Sequence, residues 1–402
     1  MRYFERQLSV SISRAVKTFP ALAIVGPRQS GKTTLLKKMF SNNANFVSME
    51  KPDNRLWAKD DPQDFLANHG YPLIIDEFQY APELMPYIKE IIDSNRQAGM
   101  FFLTGSQQFS VMKNLSESLA GRVAVMTLLP FSYSEVKEVS FKSWDDWFLN
   151  LTENRVLQSK HDIGSTILKG FYPEIISNPE VDKDIWFSSY IQTYLERDLK
   201  SLYDIGNLDI FYQFMTLAAA RCGSILNYTG FSSDLGVSVP TIKKWFSILE
   251  ASFIIYKLQP YSRNSGKRII KAPKYYFIDT GLAAYLAGIN NGDYLIRGNT
   301  AGQFFENFVV SEFYKNKKHF NSSLNHYYIN NRNLWEIDLL IEKNLEFLPV
   351  EIKLSATIGP SHLKNFDKLR TLVKSSESNY LICNTPEAIK RKNTLINSWL
   401  NL

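Results

Sequence analysis

Cysteine is nearly absent. Cys222 and Cys383 are the only two among 402 residues, they lie far apart, and neither belongs to a CxxC pair. A disulfide framework and a cysteine-based zinc site are therefore excluded, and both thiols are expected to be buried. Long apolar runs are missing as well. The longest, such as LIIDEF and SFIIYKL, are strand-length and broken by charge, short of the roughly 20 residues that cross a bilayer. No membrane span is expected. The opening stretch MRYFERQLSVSISRAV carries charge where a secretory signal needs its apolar core, and it lacks a small-residue cleavage pattern, which points to the cytoplasm. No internal repeat, HExxH, GxSxG, Cys–His signature or GxGxxG is present, so zinc-protease, triad-hydrolase and dinucleotide redox chemistry are unsupported. The five histidines show no paired ligand spacing. A formal charge of +6 from 46 basic and 40 acidic residues is too mild to argue for nucleic acid by itself, so local clustering carries that question.

What is present is organised. The first part alternates apolar strands with helices: ALAIVG, TLLKKMF, ANFVSM, PLIIDE, ELMPYIKEIIDSN, GMFFLTG and the segment Arg122 to Leu129. That order implies a parallel sheet with crossover helices. From about Phe131 the pattern turns helical and aromatic. Tyr190, Ile191, Tyr194, Leu195 and Asp198 share one helical face. Residues Ile225 to Asp279 then read as two short helices followed by a β-rich stretch, the order of a winged helix. Ile242, Trp245, Phe246 and Leu249 bury one face of the second helix and leave Thr241, Lys243 and Lys244 outside. After NNGDYL comes an amphipathic helix, GQFFENFVVSEFYKN, then three strands, HYYIN, EIDLLIE and FLPVEIKL. The expected divisions are 1-135, 136-222, 223-290 and 291-402: a P-loop core, a helical lid or linker, a winged helix and a C-terminal α/β domain.

Gly26 to Thr33, GPRQSGKT, fits GxxxxGK[ST] and sits directly after an apolar strand, opening a helix. Gly26 and Gly31 let the backbone curl around phosphates, with Pro27, Arg28, Gln29 and Ser30 between them and Thr34 just beyond. Lys32 is placed for the β- and γ-phosphates of ATP, and Thr33 for Mg2+. YPLIIDEFQ supplies the partner strand: Asp76 would hold the metal and Glu77 would polarise the attacking water. Thr104, Ser106 or Gln107 could stand beside the γ-phosphate or cap a helix. Arg122 could serve as a finger on a neighbouring subunit's nucleotide in a homo-oligomer, or form an ordinary surface ion pair. The strand ANFVSM between the two motifs, with the glutamate next to Asp76, resembles the additional-strand catalytic-glutamate class.

GPRQSGKTTL, LIIDEFQYAPEL, FFLTGSQQFSVM, SLAGR with LLPFSYSE, GFYPEI, YIQTYLERDL and KAPKYYFIDTGLAAYL together resemble the prokaryotic AAA-like ATPases that carry a C-terminal domain of unknown function. The resemblance implies an AAA-type core, ATP as ligand, a winged-helix element and a restriction-endonuclease-like tail. It assigns no chemical role to Arg28, Gln29 or the Tyr190 to Asp198 helix.

From Pro240 to Tyr275 eight Lys or Arg face one acid, Glu250. Lys243 and Lys244 lie on the outer side of the second helix, and Arg263, Lys267 and Arg268 flank an NSG turn that would form the wing. A basic helix and wing can grip the phosphates of double-stranded DNA without reading bases. Equally, the basic face could turn toward bound nucleotide or a neighbouring subunit, the winged helix being only a lid. In the tail, Glu306 lies on a helix, Asp338 on one strand, and Glu351 with Lys353 on the next. Residues i and i+2 of a strand share a face, and a hairpin would bring Asp338 beside them. The set resembles the D…ExK arrangement of PD-(D/E)XK nucleases, in which carboxylates bind Mg2+ and the lysine orients water; a catalytically idle scaffold is the alternative. The expectation overall is a P-loop ATPase acting on DNA or a DNA-bound partner. The alternatives are a nucleotide-gated binding switch and a metal-dependent nuclease with a regulatory ATPase.

Overall fold

The apolar strands of the first part assemble into one parallel sheet, seen in a computed structural model that describes residues 2–106, 119–152, 162–193, 206–262, 272–331, 334–373, 375–386 and 388–402. Its strands are β1 (Ala21–Val25), β2 (Asn45–Ser48), β3 (Leu73–Asp76), β4 (Phe101–Gly105) and β5 (Val123–Thr127), in the order β2-β3-β4-β1-β5. Every pairing is parallel. The three central strands are buried along their length, which is why they read as unbroken apolar runs. Leu8, Ile12, Leu35 and Leu36, from helices Leu8–Ala15 and Lys32–Phe40, cover one face. Phe65, Leu84, Met85 and Ile88, from helices Pro62–His69 and Leu84–Ser94, cover the other. The strand ANFVSM, read as the additional one, is β2 and lies at the sheet edge. The strand that separates β1 from β3 is β4, because chain order does not dictate sheet order.

Helices Trp144–Thr152, Ile163–Lys169, Pro173–Ser177, Lys183–Thr193 and Leu208–Ala220 follow. Tyr190 and Ile191 are buried as their spacing requires, whereas Tyr194, Leu195 and Asp198 lie outside the described residues. Helices Tyr228–Leu235 and Val239–Ala251 come next, the first closed by Gly236 in the left-handed region (φ 67°) and the second capped by Ser238, which accepts from Thr241 N–H. Ile242, Trp245, Phe246 and Leu249 are all buried. An antiparallel pair completes the segment, β6 (Ile255–Pro260) and β7 (Lys274–Phe277), with Ile225 bridged to Lys274.

The C-terminal strands are β8 (Asn325–Asn330), β9 (Glu336–Lys343), β10 (Glu346–Lys353), β11 (Asn379–Cys383), β12 (Ile389–Arg391) and β13 (Thr394–Ser398). Asn344 and Leu345 turn the β9–β10 hairpin at positive φ, the geometry that matches strand twist. The sheet does not stop at residue 291. Gln259 and Pro260 of β6 pair in parallel with β8, so the hairpin forms the far edge of an eight-stranded sheet, β12-β13-β11-β10-β9-β8-β6-β7. Among the described residues no helix is long and apolar enough to cross a membrane.

Helix Ala301–His319 runs between the two sheets, packing on β5 on one side and β7 and β10 on the other. Polar side chains along it, Asn307, Glu312, Lys315 and His319, are fully buried, so each must find a partner. Asn307 exchanges two hydrogen bonds with the Phe277 backbone. Glu312 accepts from Tyr133 N–H at 2.6 Å and pairs with Lys315 at 2.8 Å. His319 Nε2 accepts from Leu129 N–H at 3.2 Å, which puts its proton on Nδ1, 3.5 Å from Glu135. Glu135 in turn pairs with Arg6 at 3.1 Å and accepts from the N–H groups of Gln7 and Ser132. Burial would raise the Glu135 carboxyl, but Arg6, His319 and the two N–H donors together hold it below its usual range.

Burial lowers the His319 imidazole to about 4 against Glu135's opposing pull, with Arg6 and Lys315 assisting. An unfolded His319 takes up a proton as pH falls through 6.5, whereas the folded one does not until near 4. Its contribution is therefore complete above pH 6.5 and lost as pH drops toward 4, an expected loss of about 3 kcal/mol. Thermal unfolding between pH 7.5 and 4.5 should show this decline, and His319→Gln should flatten it; an unchanged slope in the variant would place the proton uptake elsewhere.

Candidate functional site

The loop after β1 owes its shape to what lies beneath it. A Cβ on Gly26 would fall 2.0 Å from the Leu128 carbonyl oxygen, so no side chain fits there. Gly31 takes φ 90° and opens helix Lys32–Phe40. Arg6 reaches up from below, donating to Ser30 O at 2.8 Å and to Leu129 O at 2.6 Å. Pro27 and Ser30 are buried, Gln29 and Thr34 are exposed, and Arg28 meets Tyr80 OH at 3.5 Å. Lys32 folds back across the loop, its Nζ donating to Gly26 O at 3.1 Å and Pro27 O at 2.8 Å. These carbonyls hold the ammonium against the loop.

Asp76 ends β3 beside this loop. Its Oδ1 accepts from Thr33 Oγ1 at 2.5 Å and from Thr104 Oγ1 at 2.6 Å. Thr104, on β4, also accepts from Glu77 N–H at 3.1 Å, so one hydroxyl fixes both acids' positions. Glu77 sits in the left-handed region (φ 53°, ψ 46°), a conformation that costs a non-glycine residue on the order of 1 kcal/mol or more and marks functional turns. Ser106 Oγ donates to Glu77 Oε2 at 3.0 Å, and Gln79 Nε2 reaches the same oxygen. Of the three polar residues expected after β4, Thr104 thus serves Asp76 and Ser106 serves Glu77, while Gln107 lies outside the described residues. The Thr33 hydroxyl and Asp76 carboxylate, side by side at a helix N-terminus, are hard oxygen donors of the kind Mg2+ takes, so the residues fit that ion.

Arg122 forms a two-pronged pair with Asp93 at 2.6 and 2.9 Å and donates to Ala120 O at 3.0 Å. Within the chain this is the surface ion pair that the sequence allowed.

The tail residues converge. Lys353 Nζ stands 2.9 Å from Asp338 Oδ2 and 3.0 Å from Glu351 Oε2, and Ile352 N–H donates to Asp338 at 2.8 Å. Asn365, on helix Lys364–Arg370, approaches Glu351 at 3.4 Å. Glu306 faces a residue that sequence reasoning counted only as part of a basic stretch. Lys274, the first residue of β7, pairs with Glu306 at 2.9 Å and also with Glu336, and Tyr276 OH donates to Glu306 at 2.7 Å. Burial raises the Glu351 carboxyl well above its usual range, and Asp338 adds to the rise. For Asp338 the burial penalty is outweighed by Lys353 and Lys274, which keep it ionised. Two ammonium groups thus lie among these acids, and among the described residues no three His, Cys, Asp or Glu side chains come together to hold a metal. The expected Mg2+ set at Glu306, Asp338 and Glu351 does not fit that ion as it stands.

The basic stretch is smaller than its count. Lys274 is buried, and Lys257 pairs with Glu250 at 2.8 Å. Lys243 and Lys244 are exposed on the outer face of their helix; Arg263, Lys267 and Arg268 lie outside the described residues. Lys274, Glu336, Arg6, Glu135 and His319 were not foreseen, and for Lys274 the signal available was its place at the start of an apolar strand, KYYF.

Comparison with known proteins agrees with the P-loop geometry. Residues 18–137 match an AAA domain, residues 160–293 a domain of unknown function (DUF8612), and residues 301–401 another (DUF4143). An uncharacterized protein of Mycobacterium tuberculosis is 28% identical over 309 residues, covering 76% of this chain and 65% of that protein. The chain thus spans somewhat less than two thirds of that relative. An uncharacterized protein of Methanocaldococcus jannaschii is 24% identical over 364 residues, 86% of this chain and 77% of its own. Among solved structures, a Walker-type ATPase of Pyrococcus abyssi aligns with a TM-score of 0.45 and 14% identity over 71% of this chain and 96% of that one. With its sheet order, its P-loop and the AAA match, the first part of the chain has an AAA-like P-loop ATPase fold.

Gly26→Ala should lower folding stability by about 2 kcal/mol or more, because the added methyl meets backbone rather than a movable side chain. Urea unfolding at neutral pH measures it; a change within experimental error would mean that the loop can shift off Leu128.

Proposed function

We propose that the protein is an ATP-hydrolysing P-loop ATPase that uses Mg2+ and acts on DNA or a DNA-bound partner. The observation that carries the ATPase reading is the pairing across one site of a phosphate loop with two separately supported acids, Asp76 by Thr33 and Thr104, Glu77 by Ser106 and Gln79. Lys32 exchanges its loop carbonyls for the β- and γ-phosphates, and the N–H groups of Gly26 and of residues 28–33 orient them. Thr33 and Asp76 are the residues that would hold Mg2+, which supplies charge neutralisation on the phosphates. Glu77, released from Ser106 and Gln79, orients the water for in-line attack. Glu77→Gln should lower ATP turnover about 10²-fold while binding persists. Turnover at the wild-type rate would remove Glu77 from that role. Lys32→Ala should abolish nucleotide binding with the fold intact, and unchanged binding by calorimetry would contradict the phosphate assignment.

Residues 208–277 follow the order helix, bridge residue, helix, helix, hairpin, which supports the winged-helix reading. Exposed Lys243 and Lys244 on its second short helix support phosphate contact. Replacing both by alanine should weaken duplex DNA binding and reduce its salt slope by about 0.9 per lost contact. An unaltered slope in a gel-shift series favours a lid without DNA. The tail's order of helix, three strands, helix and strand, with Asp338, Glu351 and Lys353 together, supports a PD-(D/E)XK-like scaffold. Its lysine-filled site favours an idle one over a metal-dependent nuclease.

A nucleotide-gated switch is the second reading, favoured by the buried chain from Ser30 through Arg6 and Glu135 to His319. An ATPase assay with and without duplex DNA separates the two. Many turnovers per chain, accelerated by DNA, support the motor; less than one per chain over an hour supports the switch.

A further inference from the structure

Lys274 is strange as a member of a DNA-facing basic stretch, since its side chain is only 7% exposed. An ammonium withdrawn from water must be met by opposite charge. Lys274 meets Glu306 on the central helix at 2.9 Å and Glu336 at the start of β9, with the Tyr328 ring 5.7 Å away. Next to it, Lys353 spans Asp338 and Glu351. The four acids are therefore served by two ammonium groups. Any divalent ion drawn to these carboxylates would come up against both ammonium groups. The two cations also come from different parts of the chain: Lys353 from β10 itself, Lys274 from the hairpin that precedes the tail. The arrangement joins that hairpin to the C-terminal sheet by charge at the same edge where β6 joins β8 by backbone pairing.

We propose that Lys274 is the resident cation of the tail site: its ammonium stands between the helix carboxylate Glu306 and the strand carboxylates where a divalent metal would be drawn. The wild-type site is consequently closed to Mg2+ and Mn2+ and acts as a charge-locked joint between the hairpin and the tail. The inference rests on the nuclease-like reading of the tail, in which these acids form one set.

The test is Mn2+ binding to the full-length protein without nucleotide, followed by electron paramagnetic resonance, with the Asp76→Asn substitution in every sample to silence the P-loop. Wild-type tail residues should bind no Mn2+ that depends on Asp338. Lys274→Met should gain one equivalent, bound at least about tenfold more tightly than any site in the parent, and Asp338→Asn on top of it should abolish the gain. Lys274→Arg, which keeps the charge, should stay closed. If Lys274→Met unfolds without metal, Mn2+ should raise its melting temperature and Na+ at equal ionic strength should not; failure of Mn2+ to do so overturns the proposal. Asp338-dependent Mn2+ binding in the parent also overturns it while leaving the nuclease-like reading standing. Absence of Mn2+ binding in folded Lys274→Met overturns it too and takes with it the idea that these acids form a metal-capable set.

Discussion

The buried pair between Arg6 and Glu135 is the contact on which the rest of the molecule turns. Arg6 divides its donors among the Ser30 carbonyl in the phosphate loop, the Leu129 carbonyl after β5 and the Glu135 carboxylate. Glu135 divides its two oxygens among Arg6, the backbone of Gln7 and Ser132, and the neighbourhood of His319. Both side chains are almost wholly removed from water. A pair of this kind adds little net stability over an apolar replacement, but losing one member strands the other and costs about 3–5 kcal/mol. Its value is geometric: the N-terminal segment, the loop, the exit of β5 and the central helix are registered to one another by a single set of donors and acceptors.

Much of this was legible because it is local. The P-loop announces itself through glycine spacing after an apolar strand, and the acids of β3 through their place at a strand end. The two-residue period of a strand and a short hairpin predict that Asp338, Glu351 and Lys353 share one spot, and they meet as that period requires. What stayed hidden is non-local. Chain order could not say that β4 rather than β2 lies between β1 and β3. A count of lysines between residues 240 and 275 could not separate Lys243, turned to solvent, from Lys274, turned inward to Glu306. Arg122 found Asp93 on a helix 29 positions earlier. His319 carries no motif and acquires its role only from Leu129 and Glu135, 190 and 184 positions away in the chain.

The two sheets are bound to the helix between them by contrasting means. Against β5 the helix offers Glu312 and His319, which satisfy the N–H groups of Tyr133 and Leu129. Against β7 it offers Asn307 and Glu306, which meet Phe277, Tyr276 and Lys274. Ser311, Lys315 and Asn316 bond within the helix itself, to Phe308 O, the Glu312 carboxylate and Glu312 O. The contacts that leave the helix fix a single packing where an all-apolar helix could slide or rotate.

The peptide at Leu128–Leu129 gives this arrangement an evolutionary cast. Leu128 supplies the carbonyl on which Gly26 rests, and Leu129 offers its carbonyl to Arg6 and its N–H to His319. The floor of the phosphate loop is therefore finished by a helix encoded almost two hundred residues downstream. Recombination that detached the first part from the tail would remove a hydrogen-bond acceptor from beneath the loop and bare the apolar flank of β5. A change at His319 is therefore a change to the loop's foundation as surely as one at Arg6.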